Sequence, residues 1–156
     1  MNSRLIALAL LVTGLAGCQT VEPRSQTNSR AGLETSIRTE PPGNYYIGRR
    51  YYKRDYKFWG FVRSPGQPWS TAKLVMLNEQ QKLAPDRAQN TLGSDNDYEY
   101  KLYGYYSDQT AYEPASNGFY PEFVLTGYEL KSVSPPGIYR EPGATDPVRR
   151  IIAKPY

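Results

Sequence analysis

The hydrophobic and polar positions divide the chain into stretches with different patterns. Residues 5–12 form an uninterrupted apolar run, LIALALLV. Residues 19–44 contain no aromatic side chain, whereas all 15 Tyr, 4 Phe and 2 Trp lie from Tyr45 onward. Because a polar segment of this kind buries too little apolar surface to offset the entropy of ordering, we predict a flexible tether over 18–44 and a folded domain that begins at Tyr45.

The aromatic part of the chain, residues 45–133, carries patterns typical of β-strands separated by turn-forming residues. In the clearest of them, 98–106, aromatic or apolar side chains alternate with Glu99 and Lys101 and so share one face of a strand. The remaining elements that we predict are a long or bent strand at 45–63, a hairpin of 73–78 with 82–84, a short helix at 85–91, a polar loop at 107–121 and a last strand at 122–133.

Five strand regions with no helical crossover predict an all-β fold, a small five-stranded antiparallel Greek-key barrel, with a small β-sandwich as the alternative. The order of these regions resembles an OB-fold. The segments that carry the resemblance are 58–63, 79–82, 98–106 and 123–131. The tail at 134–156 holds five of the 13 prolines, and we expect it either to drape over the domain or to stay mobile.

The N-terminal apolar run is too short to span a bilayer, which takes about 20 apolar residues, but it suits a secretory signal peptide. It is followed by Leu15-Ala16-Gly17-Cys18, with small residues directly before the only cysteine of the chain. These four residues resemble the lipobox of bacterial lipoproteins. The resemblance implies that residues 1–17 are cleaved and that Cys18 carries acyl chains such as palmitate, which anchor the protein without spanning the membrane.

The resemblance also implies a location. Gln19 rather than Asp follows the cysteine, which favours the outer membrane, with the domain facing the periplasm, over the inner membrane. The alternatives for the N-terminus are an ordinary signal peptide that is cut elsewhere and an N-terminal anchor helix.

Composition limits the chemistry of the chain. There is no histidine, and the single cysteine is the expected lipid site, which excludes Ser–His–Asp and Cys–His catalysis and imidazole metal ligands. The run of Asp95, Asp97 and Glu99 offers carboxylate oxygens but lacks the glycine and glutamate positions of an EF-hand, and we interpret it as an acidic turn before a strand. We therefore predict no enzyme activity, no cofactor and no metal site.

The candidate binding residues lie where basic and aromatic side chains alternate at the start of the domain. Basic groups attract anions, and aromatic faces stack on bases or sugars. We nominate four residues that would share one face of an extended strand: Arg50, Tyr52, Arg54 and Tyr56. The alternative is an edge strand whose lysine and arginine side chains protect it from aggregation while its tyrosines pack into the barrel.

These observations predict a lipid-anchored cell-envelope protein with a non-catalytic binding or scaffolding β-domain. The alternative is an OB-like receptor that binds an envelope oligosaccharide or another anionic ligand through the basic and aromatic strand. The partners that we expect are the membrane, through lipid on Cys18, and an envelope protein or glycan. A formal net charge of +4 is too modest to require a polyanion, and we expect no nucleic acid.

Overall fold

A closed barrel of five strands forms the centre of the protein in a computed structural model that describes residues 24–156, with the side chains of the first helix described from Arg30 onward. The strands are β1 (Tyr46–Arg50), β2 (Gly60–Arg63), β3 (Lys73–Asn78), β4 (Glu99–Glu113) and β5 (Gly118–Ser132). The helical elements are α1 (Arg24–Arg38) before the barrel, a 3-10 turn (Trp69–Thr71) between β2 and β3, and α2 (Pro85–Ala88) between β3 and β4.

The predicted signal peptide and Cys18 lie outside the described residues. Within residues 24–156, no helix is long and apolar enough to cross a membrane.

Around the barrel the strands follow the order β1, β2, β3, β5, β4, and β4 closes against β1. Every neighbouring pair is antiparallel except β3 and β5, which run parallel. The prediction of a small, OB-like, five-stranded barrel is confirmed, but its strands are mixed rather than all antiparallel. The connection 79–98 carries the chain from β3 to the edge of β1 that β2 does not occupy, where β4 pairs. The hairpin then returns the chain as β5, which lies beside β3 and runs parallel to it.

Several element boundaries differ from the predicted ones. The segment 45–63 forms two antiparallel strands, β1 and β2, joined by the loop 51–59, and 82–84 forms no strand. The segment 107–121 is the outer part of the β4–β5 hairpin rather than a loop. A polar two-stranded hairpin lacks the apolar alternation of a strand that is buried on one face, and the sequence pattern therefore does not indicate it. The short helix expected from Pro85 is present as α2.

Inward-facing side chains of the strands, together with Trp59 just before β2, fill the barrel. The buried set includes Trp59, Val62, Val75, Tyr100, Leu102, Phe123 and Leu125. At Gly48 of β1, a Cβ atom would collide with the Leu102 side chain and the Trp59 ring. A glycine at this position therefore leaves room for the indole, and truncation of such a buried aromatic side chain costs about 3–5 kcal/mol.

The outer face of β1 and β2 is buried as well. Ile47 and Phe61 lie in a second apolar cluster with Trp69, and α1 covers this cluster with Leu33 and Ile37. This finding corrects the predicted flexible tether for the part of it that the structure describes. Leu33 and Ile37 are four residues apart, so a helix places them on one face, where the barrel buries them.

The C-terminal segment 134–156 completes this outer layer. Ile138, Ala144 and Ala153 are buried in the same cluster, and the Tyr156 N–H donates to the Ile138 carbonyl oxygen at 3.1 Å. Of the two alternatives for this segment, the structure shows the draped one. The folded unit of the described chain therefore extends on both sides of 45–133.

Candidate functional site

The loop 51–59 separates two surfaces of the protein. On one side lies an open cleft of about 480 Å³, which we call the loop–helix cleft. It is bounded by the loop, by the end of β3 and by α2. The four residues nominated from the sequence all line this cleft: Arg50, Tyr52, Arg54 and Tyr56.

Arg50 has a structural position in the cleft rather than an exposed one. It is buried, its Nη2 donates to Asp86 Oδ2 at 2.9 Å, and its Nε donates to Asp95 Oδ1 at 3.3 Å. Burial raises the pKa of the Asp86 carboxyl, but the Arg50 guanidinium and two backbone N–H groups outweigh burial, so this pKa lies below its ordinary value. The ion pair with Asp86 holds α2 across the end of the barrel.

Tyr52 and Tyr56 form an aromatic wall of the cleft, and both are half-buried. The Tyr52 N–H donates to Asn96 Oδ1 at 2.8 Å, and the Tyr52 ring lies against Gly93. The Tyr56 hydroxyl donates to the Arg150 carbonyl oxygen at 3.2 Å. Each ring is thus held in place while part of its surface stays open to a ligand.

Cationic side chains form the rim of the cleft. Arg54 and Lys57 are exposed, and Arg87 of α2 keeps 58% of its side chain exposed although its Nε lies 3.2 Å from Glu79 Oε2. More than half of the Arg87 side chain is therefore open to a ligand anion. No sequence signal points to Arg87 or Glu79, because only the packing of α2 against the barrel end brings them to the loop.

Trp59, one of the residues that line the cleft, carries a buried hydrogen-bond donor. Its side chain is 4% exposed, and no described residue accepts a hydrogen bond from its Nε1–H. The outer edge of its six-membered ring lies against Gly48 in the barrel interior. An unpartnered buried donor of this kind costs about 1–3 kcal/mol.

The opposite side of the loop is covered by the protein's own C-terminal segment. Lys53 is buried, and its Nζ donates to the carbonyl oxygens of Ala144 and Asp146 at 2.6 and 2.7 Å. The Tyr51 hydroxyl donates to the Ile151 carbonyl oxygen at 3.0 Å. The basic and aromatic residues on this side therefore stabilise the fold.

The acidic run before β4 is engaged by arginine side chains. Asp95 pairs with Arg50, while Arg49 Nη1 lies 3.1 Å from Asp97 Oδ1 and Arg49 Nη2 lies 2.8 Å from Glu99 Oε2. Burial raises the pKa of Asp97 in spite of Arg49. Burial also acts on Glu99, but the neighbouring cations outweigh it and lower its pKa. These carboxylates connect the start of β4 to β1.

A second groove, of about 260 Å³, lies between α1 and Trp69 and contains none of the nominated residues. Comparison of the chain with protein-family models, curated protein sequences and solved structures gives no match. The class of the protein therefore follows from its own geometry, which is that of a small OB-like barrel with a basic and aromatic cleft beside the loop 51–59.

Proposed function

We propose that this protein is a lipid-anchored, non-catalytic binding domain of the bacterial cell envelope that holds an acidic oligosaccharide in the loop–helix cleft. The observation that carries the proposal is the combination of exposed Arg54 and Lys57 with the half-buried rings of Tyr52 and Tyr56 in one cleft. Cationic side chains bind carboxylate, sulfate or phosphate groups, and tyrosine rings offer an apolar face with a polar tip to a sugar ring.

The size of the cleft favours an extended ligand over a single small anion. A volume of about 480 Å³ lies within the range of small-molecule sites, about 300–1,000 Å³. Each exposed ion pair at the rim contributes about 0–1 kcal/mol, so useful affinity requires several contacts along one ligand. The resemblance of Leu15-Ala16-Gly17-Cys18 to a lipobox supports the anchoring part of the proposal, and Gln19 after the cysteine favours a position at the outer membrane, facing the periplasm.

Isothermal titration of the mature, detergent-solubilised protein with tri-galacturonic acid tests the proposal, and maltotriose serves as the uncharged control sugar. We expect saturable binding of the acidic sugar only. Lys57→Glu should weaken this binding about 10-fold, which corresponds to about 1.4 kcal/mol. Lys73→Glu makes the same charge change at an exposed position on β3 outside the cleft, and it should leave the affinity unchanged.

The two tryptophans report where the sugar binds. Neither indole N–H has an acceptor among the described residues, but Trp59 lines the loop–helix cleft and Trp69 lines the groove beside α1. Tri-galacturonic acid should shift the Trp59 indole N–H signal in NMR spectra and leave the Trp69 signal in place. Equal shifts of both signals, or equal affinity for maltotriose, would contradict the proposal.

An exposed aromatic pair favours a second function, that of a scaffold for another envelope protein. Tyr112 and Phe119 on the β4–β5 hairpin are 50% and 71% exposed, and their ring centroids lie 5.1 Å apart. Aromatic residues are enriched in protein interfaces. Crosslinking in intact cells should then recover a reproducible protein partner that Phe119→Ser loses and that Val148→Ser, a change at another exposed apolar residue, retains.

A further inference from the structure

The C-terminal segment holds the loop from one side while the cleft lies on the other. We call residues 144–153 the strap. The Arg54 N–H donates to the Pro147 carbonyl oxygen at 2.9 Å, and the Tyr56 hydroxyl donates to the Arg150 carbonyl oxygen at 3.2 Å. The strap thus binds the same two residues that contribute a cation and an aromatic ring to the cleft.

The position of residues 53–56, the middle of the loop, depends on the strap. Among the described residues, the hydrogen bonds and ion pairs that join 53–56 to other segments all go to the strap. Lys53 contributes two of them, and Asp55 Oδ2 lies 2.5 Å from Arg150 Nε. Residues 53–56 lie outside the strands, so no strand ladder fixes them.

We propose that docking of the strap and binding of a ligand in the loop–helix cleft are coupled, so that the C-terminal segment regulates the affinity of the cleft. The inference rests on the proposed binding function and adds its regulation. With the strap docked, Arg54 and Tyr56 are held at the cleft and the ligand meets a preformed surface. With the strap released, the ligand must order the loop as it binds, which weakens affinity.

The strap can open while the barrel stays folded. Most of its hydrogen bonds with the loop go to strap carbonyl oxygens, and the side chains that it buries in the outer apolar cluster, Ala144 and Ala153, are single methyl groups. The apolar cluster inside the barrel contains no strap residue. A partner that captures the C-terminal segment would therefore lower the affinity of the cleft, and by reciprocity a bound ligand stabilises the docked strap by the same factor.

Two variants loosen the strap at different contacts. Lys53→Met keeps most of the side-chain length but removes the ammonium that binds two strap carbonyls. Tyr51→Phe removes only the hydroxyl that bonds to Ile151 and Ala153. Lys154→Met is the matched control, because Lys154 is exposed and lies outside the strap.

Hydrogen exchange followed by mass spectrometry measures strap docking without any ligand, and titration with tri-galacturonic acid measures the cleft. We expect Lys53→Met and Tyr51→Phe to accelerate exchange of residues 144–153 and to weaken binding by about 5-fold or more, whereas Lys154→Met changes neither. In the unmodified protein, saturating tri-galacturonic acid should slow the exchange of 144–153.

The outcomes separate this inference from the proposed function. Unchanged affinity in a variant whose strap exchanges faster would overturn the coupling and leave the binding function intact. Lack of sugar binding by the unmodified protein would overturn the binding function, and the coupling with it. If Lys53→Met lowers the melting temperature of the whole domain, Tyr51→Phe decides by the same two measurements.

Discussion

The Glu40 carboxylate and the Arg63 guanidinium form a bidentate ion pair, with Oε2–Nη1 at 2.6 Å and Oε1–Nη2 at 2.8 Å. Both side chains are nearly buried, with 6% and 1% exposed. The Gly66 N–H and the Lys131 Nζ each donate to the same carboxylate at 2.9 Å. Because Glu40 follows α1 closely and Arg63 ends β2, these contacts fasten the helix to the barrel.

Glu40→Ala should lower the free energy of unfolding by about 3–5 kcal/mol, because it leaves the Arg63 guanidinium buried without its carboxylate. Urea unfolding of the variant and the unmodified protein measures this difference. Glu34→Ala is the control within α1, since Glu34 pairs with Arg30 on the exposed face of the helix and should cost less than about 1 kcal/mol. Equal effects of the two changes would contradict the assigned role of Glu40.

Acidification should release α1 from the barrel. Burial raises the pKa of Glu40, but the donors around its carboxylate outweigh burial, so the pKa in the folded state lies below the ordinary value of 4.5. A carboxyl group of this kind contributes stability that is fully present above its ordinary pKa and is lost as the pH falls through the folded-state pKa. The methyl NMR signals of Leu33 and Ile37 should therefore stay in place from neutral pH to about 4.5 and shift below it.

Two neighbouring charges bear on this acid transition. Lys131, which donates to Glu40, also lies 2.7 Å from Glu99 Oε1, and the pKa of Glu99 is lowered as well. Glu40→Gln keeps a hydrogen-bond acceptor but cannot titrate. The part of the transition that belongs to Glu40 should disappear in this variant, and persistence of the full transition would assign it to Glu99 instead.

The barrel could be predicted from the sequence because apolar and polar side chains alternate along those strands of which only one face is buried. In β4, Tyr100 and Leu102 face the interior while Lys101 between them is more exposed. The helix α1 could not be predicted in the same way. Its burial rests on Leu33 and Ile37, and whether two apolar residues suffice depends on the outer surface of β1 and β2, which local composition does not reveal.

The candidate site was predictable in part. The side chains of residues 50, 52, 54 and 56 lie in one cleft, although 51–59 is not a strand. The alternation is kept because the strap binds the intervening residues Tyr51 and Lys53 on the other side of the loop. The buried state of Arg50 could not be foreseen. Its partner Asp86 is 36 positions away along the chain, and only the fold brings the two together.

Arg50 and Arg54 should respond differently to the same substitution. Arg50→Gln removes a buried charge that pairs with two buried carboxylates, so it should lower the free energy of unfolding by about 3–5 kcal/mol. Arg54→Gln changes an exposed side chain and should leave stability within about 0.5 kcal/mol while it weakens tri-galacturonic acid binding. Urea unfolding and titration of the two variants give both quantities, and a stable Arg50→Gln protein would contradict the structural role.

Attachment to the membrane should depend on Cys18 alone. A lipobox implies that the mature protein begins at this residue and carries acyl chains, each of which adds about 0.8 kcal/mol of membrane affinity per buried CH₂ group. Intact-mass analysis of protein extracted from bacterial membranes should therefore find a chain that starts at residue 18 with acyl mass added. Cys18→Ser should move the protein into the soluble fraction, because it removes the site of the acyl chains. Full membrane retention of Cys18→Ser would show that the anchor lies elsewhere.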